Sequence, residues 1–143
     1  MTLDDLIKLN ANQLDDLFKT SPPGPIPDGE AEGRAIIAPG TDLAGPLSKF
    51  IHLFTWQGKV FDAKRGFLRN SILPFGLKAI IAMVAVDKSW LDGKDCIVLD
   101  YSDTSISAHW IRDEIRLIAP DTYLGIVFWG KTRLIHFALH FPA

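Results

Sequence analysis

From Trp56 to its end the chain is cut into short apolar runs by turn-forming residues: Gly58, Lys64-Arg65-Gly66, Pro74-Phe75-Gly76, Asp92-Gly93, Asp103-Thr104, Pro120-Asp121 and Gly130-Lys131. Breaks at intervals of about ten residues leave room for strands and not for long helices, which is the pattern of an antiparallel meander or barrel. Lys78 to Val86, Cys96 to Tyr101, Tyr123 to Trp129 and Thr132 to Phe141 read as strands, the last two joined by a tight hairpin at Gly130-Lys131. In His109 to Ile118 the residues Trp110, Arg112, Glu114 and Arg116 alternate with Ile111, Asp113, Ile115 and Leu117, so this segment also reads as a strand.

The first 54 residues have a different rhythm. Leu3, Leu6, Ile7 and then Leu14, Leu17, Phe18 recur at helical spacing, with Thr2 and Asn12 as N-caps. These two short helices are expected to form a lid or plug. The prolines of Ser21 to Gly29 remove backbone donors and fix φ, which makes this stretch an extended connector. Glu30 to Ile37 reads as a first strand. Leu43, Leu47, Phe50, Ile51 and Phe54 form the stripe of a helix over residues 42–54, with Pro46 in its first turn. The expectation is one mostly β (α+β) domain: residues 1–27 form a helical cap and connector, and residues 28–143 a small antiparallel lipocalin-like β-barrel with one inserted helix.

A chain of 143 residues, 48% hydrophobic and 22% charged, suits a single packed core. Its net charge of -2 lacks the basic excess that nucleic acid or an anionic membrane attracts. No apolar run approaches the roughly 18 residues of a membrane span, and the opening residues carry acids where a secretory signal carries positive charge, so the expected location is cytoplasmic. Cys96, the single cysteine, sits beside Ile97, Val98 and Leu99 and is expected to be a buried, inert thiol.

Chemistry has few places to sit. On a strand, Arg112, Glu114 and Arg116 share one face in a plus, minus, plus row. Facing solvent, the row is an ordinary surface. Facing a barrel interior, the arginine forks of Arg112 and Arg116 bind a carboxylate or a polarised carbonyl, with Glu114 holding them or acting as a base. Asp113 then lies on the opposite, otherwise apolar face and needs a partner, for which Tyr101, Tyr123 or a histidine is available. His136 and His140 point to one face, but four strand residues separate them by roughly 13 Å at about 3.3 Å per residue, which argues against a shared metal. His136 is instead either hydrogen-bonded to an acid or a catalytic acid–base, alongside Glu114 and Asp113 as candidates. The acids and hydroxyls of Asp100 to Ser105 match neither a calcium loop nor a nucleophile elbow, and no glycine pattern supports a nucleotide, so no cofactor is expected. The tryptophans, Trp56 and Trp129 among them, lie near strands and turns and suit the aromatic wall of a ligand cavity.

Leu17-Phe18-Lys19-Thr20-Ser21-Pro22-Pro23, a glycine-containing first strand, Trp56-Gln57-Gly58-Lys59-Val60-Phe61-Asp62 and Tyr123-Leu124-Gly125 occur in an order that resembles bacterial lipocalin-like proteins of the Gly-x-Trp-x-Gly domain type. The chain departs from that motif at Glu30-Ala31-Glu32-Gly33-Arg34, which lacks the tryptophan. The resemblance implies a small calycin-type barrel and carries no catalytic residue with it.

Three functions follow from these readings. The first is binding of a small apolar molecule or lipid-like carboxylate in the barrel, its polar end on Arg112 or Arg116 and its walls formed by Tyr101, Tyr123, Trp56 and Trp129. The second is a cofactor-independent isomerase, cyclase or lyase acting on such a molecule. The third is a structural module with a filled core. The expected partner is a small apolar ligand, with a homodimer left open.

Overall fold

The computed structural model describes residues 2–36, 59–70, 81–101, 111–130 and 132–142. Its eight strands are β1 (Gly29–Ile36), β2 (Lys59–Asp62), β3 (Phe67–Asn70), β4 (Ile81–Lys88), β5 (Asp95–Asp100), β6 (Ile111–Ala119), β7 (Thr122–Trp129) and β8 (Thr132–His140). Each pairs antiparallel with the next, and β8 returns to β1 with His140 opposite Glu32 and His136 opposite Ile36, closing the barrel. This is the up-and-down order of lipocalin-like barrels, in which closure removes every unpaired edge. The turn residues do what their chemistry permits: Pro120-Asp121 links β6 to β7 with Asp121 at a φ of 56°, a conformation that aspartate tolerates better than most side chains.

The strand expected at His109 to Ile118 is β6. The short β2–β3 hairpin was not singled out in the sequence. The helix expected over residues 42–54, and with it Trp56, lies outside the described residues.

Strand parity divides the barrel into two cores. Ile97, Leu99, Ile111, Ile115, Tyr123, Val127, Phe137 and Leu139 point inward and pack together with Phe61, Leu68 and Val84. Cys96, Val98, Leu124, Ile126, Phe128 and Ala138 point outward, yet they are buried, because Leu6, Leu14 and Phe18 of two helices cover them. The helices, α1 (Leu3–Leu6) and α2 (Ala11–Thr20), therefore lie along the outer wall and are not a lid or plug. Each fully buried Leu or Phe stabilises this docking by about 1.5–3 kcal/mol. The same coverage explains the sequence of β7: buried on both faces from Tyr123 to Phe128, it shows no alternation, whereas β4, with no helix upon it among the described residues, alternates buried Ala82 and Val84 with exposed Met83 and Ala85.

α2 begins at Asn10 and not at Asn12. Asn10 Oδ1 accepts from Gln13 N at 2.8 Å while Gln13 Oε1 accepts from Asn10 N at 2.9 Å, a reciprocal capping box worth about 1 kcal/mol.

What closes one end of the barrel is the connector. The carbonyl of Pro22 accepts from Leu117 N at 3.0 Å, that of Pro25 accepts from the Tyr123 hydroxyl at 2.7 Å, and Ile26 packs on the inner core. Gly24, at a φ of 72°, lies so close to Leu117 that a Cβ would come within 2.5 Å of it, so only glycine lets the chain pass. Phe61 and Tyr123 meet Phe141 edge to face at 5.4 and 5.6 Å inside this end. The opposite end is where β1 joins β2, β3 joins β4 and β5 joins β6.

Candidate functional site

Near that opposite end three polar side chains enter the inner core. Lys59 is the first residue of β2 and lies opposite Ala31 of β1, Tyr101 follows β5 directly, and Asp113 is the third residue of β6, opposite Leu99. Their parity matches that of Phe61, Leu99 and Ile115, so all three share the interior with aliphatic and aromatic neighbours. Lys59 and Tyr101 are wholly buried and Asp113 is 2% exposed.

Lys59 Nζ donates to the Tyr101 hydroxyl oxygen at 3.2 Å, and the Tyr101 hydroxyl in turn hydrogen-bonds the Asp113 carboxyl. The other carboxyl oxygen, Asp113 Oδ1, is buried and has no hydrogen-bond partner among the described residues. Leaving such an atom unmatched costs about 1–3 kcal/mol, so it stands out from a core that otherwise satisfies its polar groups. Burial holds the Lys59 amine below the usual lysine range, against the pull of Asp113, and burial likewise raises the Asp113 carboxyl, against Lys59 and Tyr101. Burial also pushes the Tyr101 phenol well up, with Asp113 adding to the effect. The arrangement is an amine, a phenol and a carboxyl, each able to exchange a proton, enclosed by apolar walls.

The row that the sequence offered as the floor of the site faces outward. Arg112, Glu114 and Arg116 lie opposite Phe128, Ile126 and Leu124, on the wall beneath the helices. Glu114 is fully buried there because the loop between β4 and β5 folds over it: it accepts from Ser89 Oγ at 2.5 Å, from Trp90 N at 2.8 Å and from Arg112 Nε at 3.2 Å. Arg112 lies 4.2 Å from the centre of the Trp90 ring. Arg116 grips Asp92 with both Nη atoms at 2.7 and 2.8 Å and donates to the Phe18 carbonyl at 2.9 Å. The row is neither a solvated surface nor a ligand floor. It is a clamp that ties a loop and α2 to the barrel, so the ligand-binding roles expected for Arg112 and Arg116 inside the barrel, and the base role for Glu114, have no geometric basis.

The remaining candidates separate. Asp113 and Tyr101 come together as one of the pairings the sequence offered. Tyr123 is interior but sits at the plugged end, its hydroxyl held by Pro25. Trp129 closes β7 and is 38% exposed. His136 faces outward, its Nε2 at 2.7 Å from Asp15 Oδ1 of α2, and Arg133 pairs with the same carboxylate. These three line a groove of about 350 Å³ between α2 and β8. Both oxygens of Asp15 are engaged there, so the cluster staples helix to barrel. Cys96 is fully buried beneath the helices, and burial pushes its thiol up to about 12. Lys59 was missed. The signal was present, since Lys59 and Phe61 share one face of a strand in Lys59-Val60-Phe61-Asp62, but the four-residue run is too short to set its own register.

The fold and its interior thus define a closed antiparallel barrel, helix-covered on one wall, with a buried Lys-Tyr-Asp cluster. No protein family and no curated protein matches the chain. Among solved structures it is similar to the crystal structure of a protein from Thermomonospora curvata, at 20% sequence identity and a TM-score of 0.65 over 99% of this chain and 96% of that one. This likeness bears on the fold alone. Among the described residues no helix is long and apolar enough to cross a membrane.

Proposed function

We propose that the barrel binds a small apolar molecule that carries a carbonyl or carboxylate oxygen, with that oxygen seated on Lys59, Tyr101 and Asp113. The observation that carries the reading is Asp113 Oδ1, a carboxyl oxygen in the barrel interior with no hydrogen-bond partner among the described residues, beside a buried lysine; protonated, it is a donor. Buried polar groups are retained where something satisfies them. A ligand oxygen that accepts from Lys59, or from a protonated Asp113, fits the donors present, and the aliphatic walls suit an apolar body. Lys59 takes over the role that the sequence reading gave to the arginines.

Titration of a fluorescent polyene fatty acid and of its alcohol into the protein tests this. The expected result is saturable 1:1 binding, weakened about tenfold or more by Lys59→Met, the magnitude of one charge-assisted hydrogen bond. Binding that Lys59→Met and Tyr101→Phe leave unchanged, or no binding of either probe, would sink the reading.

The raised Asp113 carboxyl favours one second reading, proton transfer on a bound carbonyl compound, with Asp113 as carrier and Lys59 and Tyr101 stabilising oxyanion charge. Solvent deuterium entering the carbon beside a bound ketone's carbonyl, and failing to enter with Asp113→Asn, is its signature.

A further inference from the structure

We infer that Lys59 is a nucleophile as well as a hydrogen-bond donor, and that it captures an apolar aldehyde or ketone inside the barrel as a reversible imine. The inference rests on the proposed binding function and narrows its ligand to a carbonyl compound.

The geometry supplies each part of the step. Lys59 is wholly buried and its Nζ lies 3.2 Å from the Tyr101 hydroxyl, which also reaches Asp113. An amine surrounded by apolar side chains holds its proton weakly, and the direction of the Lys59 shift agrees. By contrast Lys88 is exposed, and its ammonium is held by Asp95 at 2.5 Å, which keeps the proton on. In the reaction the neutral Nζ lone pair bonds the carbonyl carbon, and the C=O π pair moves to oxygen. One nitrogen proton passes to that oxygen through Tyr101, giving a carbinolamine. The carbon–oxygen bond then breaks, the oxygen leaves as water with a proton from the Asp113 carboxyl, and nitrogen's lone pair completes the C=N bond. The iminium so formed faces the Asp113 carboxylate, whose Oδ1 has no hydrogen-bond partner among the described residues. No electrons are gained or lost overall, and water returning along the same path releases the ligand.

The test uses the full chain at neutral pH with octanal or cinnamaldehyde, each trapped by cyanoborohydride, followed by intact mass and peptide mapping. Cinnamyl alcohol and cinnamic acid serve as non-reacting competitors. The expected result is one adduct per chain, on Lys59, saturating at aldehyde concentrations that leave the exposed lysines unmodified and suppressed by the competitors. Asp113→Asn is expected to slow adduct formation by about 10²-fold or more, the usual contribution of a positioned acid. Adducts spread over exposed lysines with Lys59 unmodified, or an adduct unchanged in Lys59→Met, would overturn the inference. The map of the unaltered protein decides this even if a variant fails to fold. If the alcohol and the acid bind but no aldehyde attaches to Lys59, the imine falls and the binding function stands. If none of the three binds, both fall.

Discussion

Replacing Arg116 by methionine is expected to cost about 3 kcal/mol of folding stability without touching the barrel interior. Arg116 makes two bonds to Asp92, at 2.7 and 2.8 Å, and three more to the carbonyls of Phe18, Asp95 and Lys94 at 2.9, 3.1 and 3.2 Å. Its guanidinium also stacks 4.4 Å from the Phe18 ring. Methionine keeps much of the apolar stem and loses every donor. Breaking a buried ion pair by removing one partner costs about 3–5 kcal/mol, because the other charge stays behind unpaired. The Asp92 side chain is 11% exposed, so water can reach it and the lower figure applies. For a chain of this size about 3 kcal/mol corresponds to a fall in Tm of roughly 10 °C. Urea unfolding followed by tryptophan fluorescence measures the change. Asp92→Asn added to Arg116→Met is expected to recover part of the loss, since it removes the stranded carboxylate. Acid gives an independent check: Arg116 holds the Asp92 carboxyl down to about 2 from an ordinary 3.8. The stability this provides is complete above the unfolded value and disappears as pH falls through the folded one, between about pH 4 and pH 2. Arg116→Met begins without it and should show a shallower decline there. A loss below about 1 kcal/mol, the worth of an exposed pair, or weaker binding of the fatty-acid probe by folded Arg116→Met, would refute the assignment of this row to the clamp.

Gly125→Ala is expected to destabilise the barrel by about 1–3 kcal/mol, the usual cost of overpacking, because its Cβ would lie 2.2 Å from the Phe137 ring. Adding Phe137→Leu should restore part of this in urea melts, and no restoration would mean that the ring is not the obstacle. His136 is held neutral chiefly by burial, against the pull of Asp15, so its folded pKa lies below its unfolded one. Stability from this site is complete above the unfolded pKa of 6.5 and is lost as pH falls below it. Wild type should therefore lose stability as pH falls below 6.5 while His136→Gln stays flatter; equal slopes would place the titration elsewhere. Cys96 should react with a thiol reagent only as fast as the protein opens, since its thiol is buried and raised to about 12, and modification faster than global unfolding would show that the helices detach from the wall.

Much of this was legible in the chain. Turn residues at regular spacing announced a meander, and local chemistry alone set the strand β6 and the Asn10 to Gln13 region as a helix start, although the cap lies two residues earlier than Asn12. Alternation also set Asp113 apart from Arg112 and Glu114 before any coordinates. What alternation does not carry is which face is inside. A strand has two faces, and the one holding Arg112, Glu114 and Arg116 looked like a ligand floor because three charges on one face suggest a polar interior. Tertiary structure reversed this by laying α2 and the β4–β5 loop over the outer wall, which buried those charges outside the barrel. The same closure carried Lys59, from a four-residue strand with no periodicity of its own, to the hydroxyl of Tyr101, 42 positions further along the chain. Sequence thus determined the barrel and the pairing of unlike faces, since both depend on neighbours a few residues apart. Inside and outside, and with them the Lys-Tyr-Asp cluster, were decided only when the ends of the sheet met.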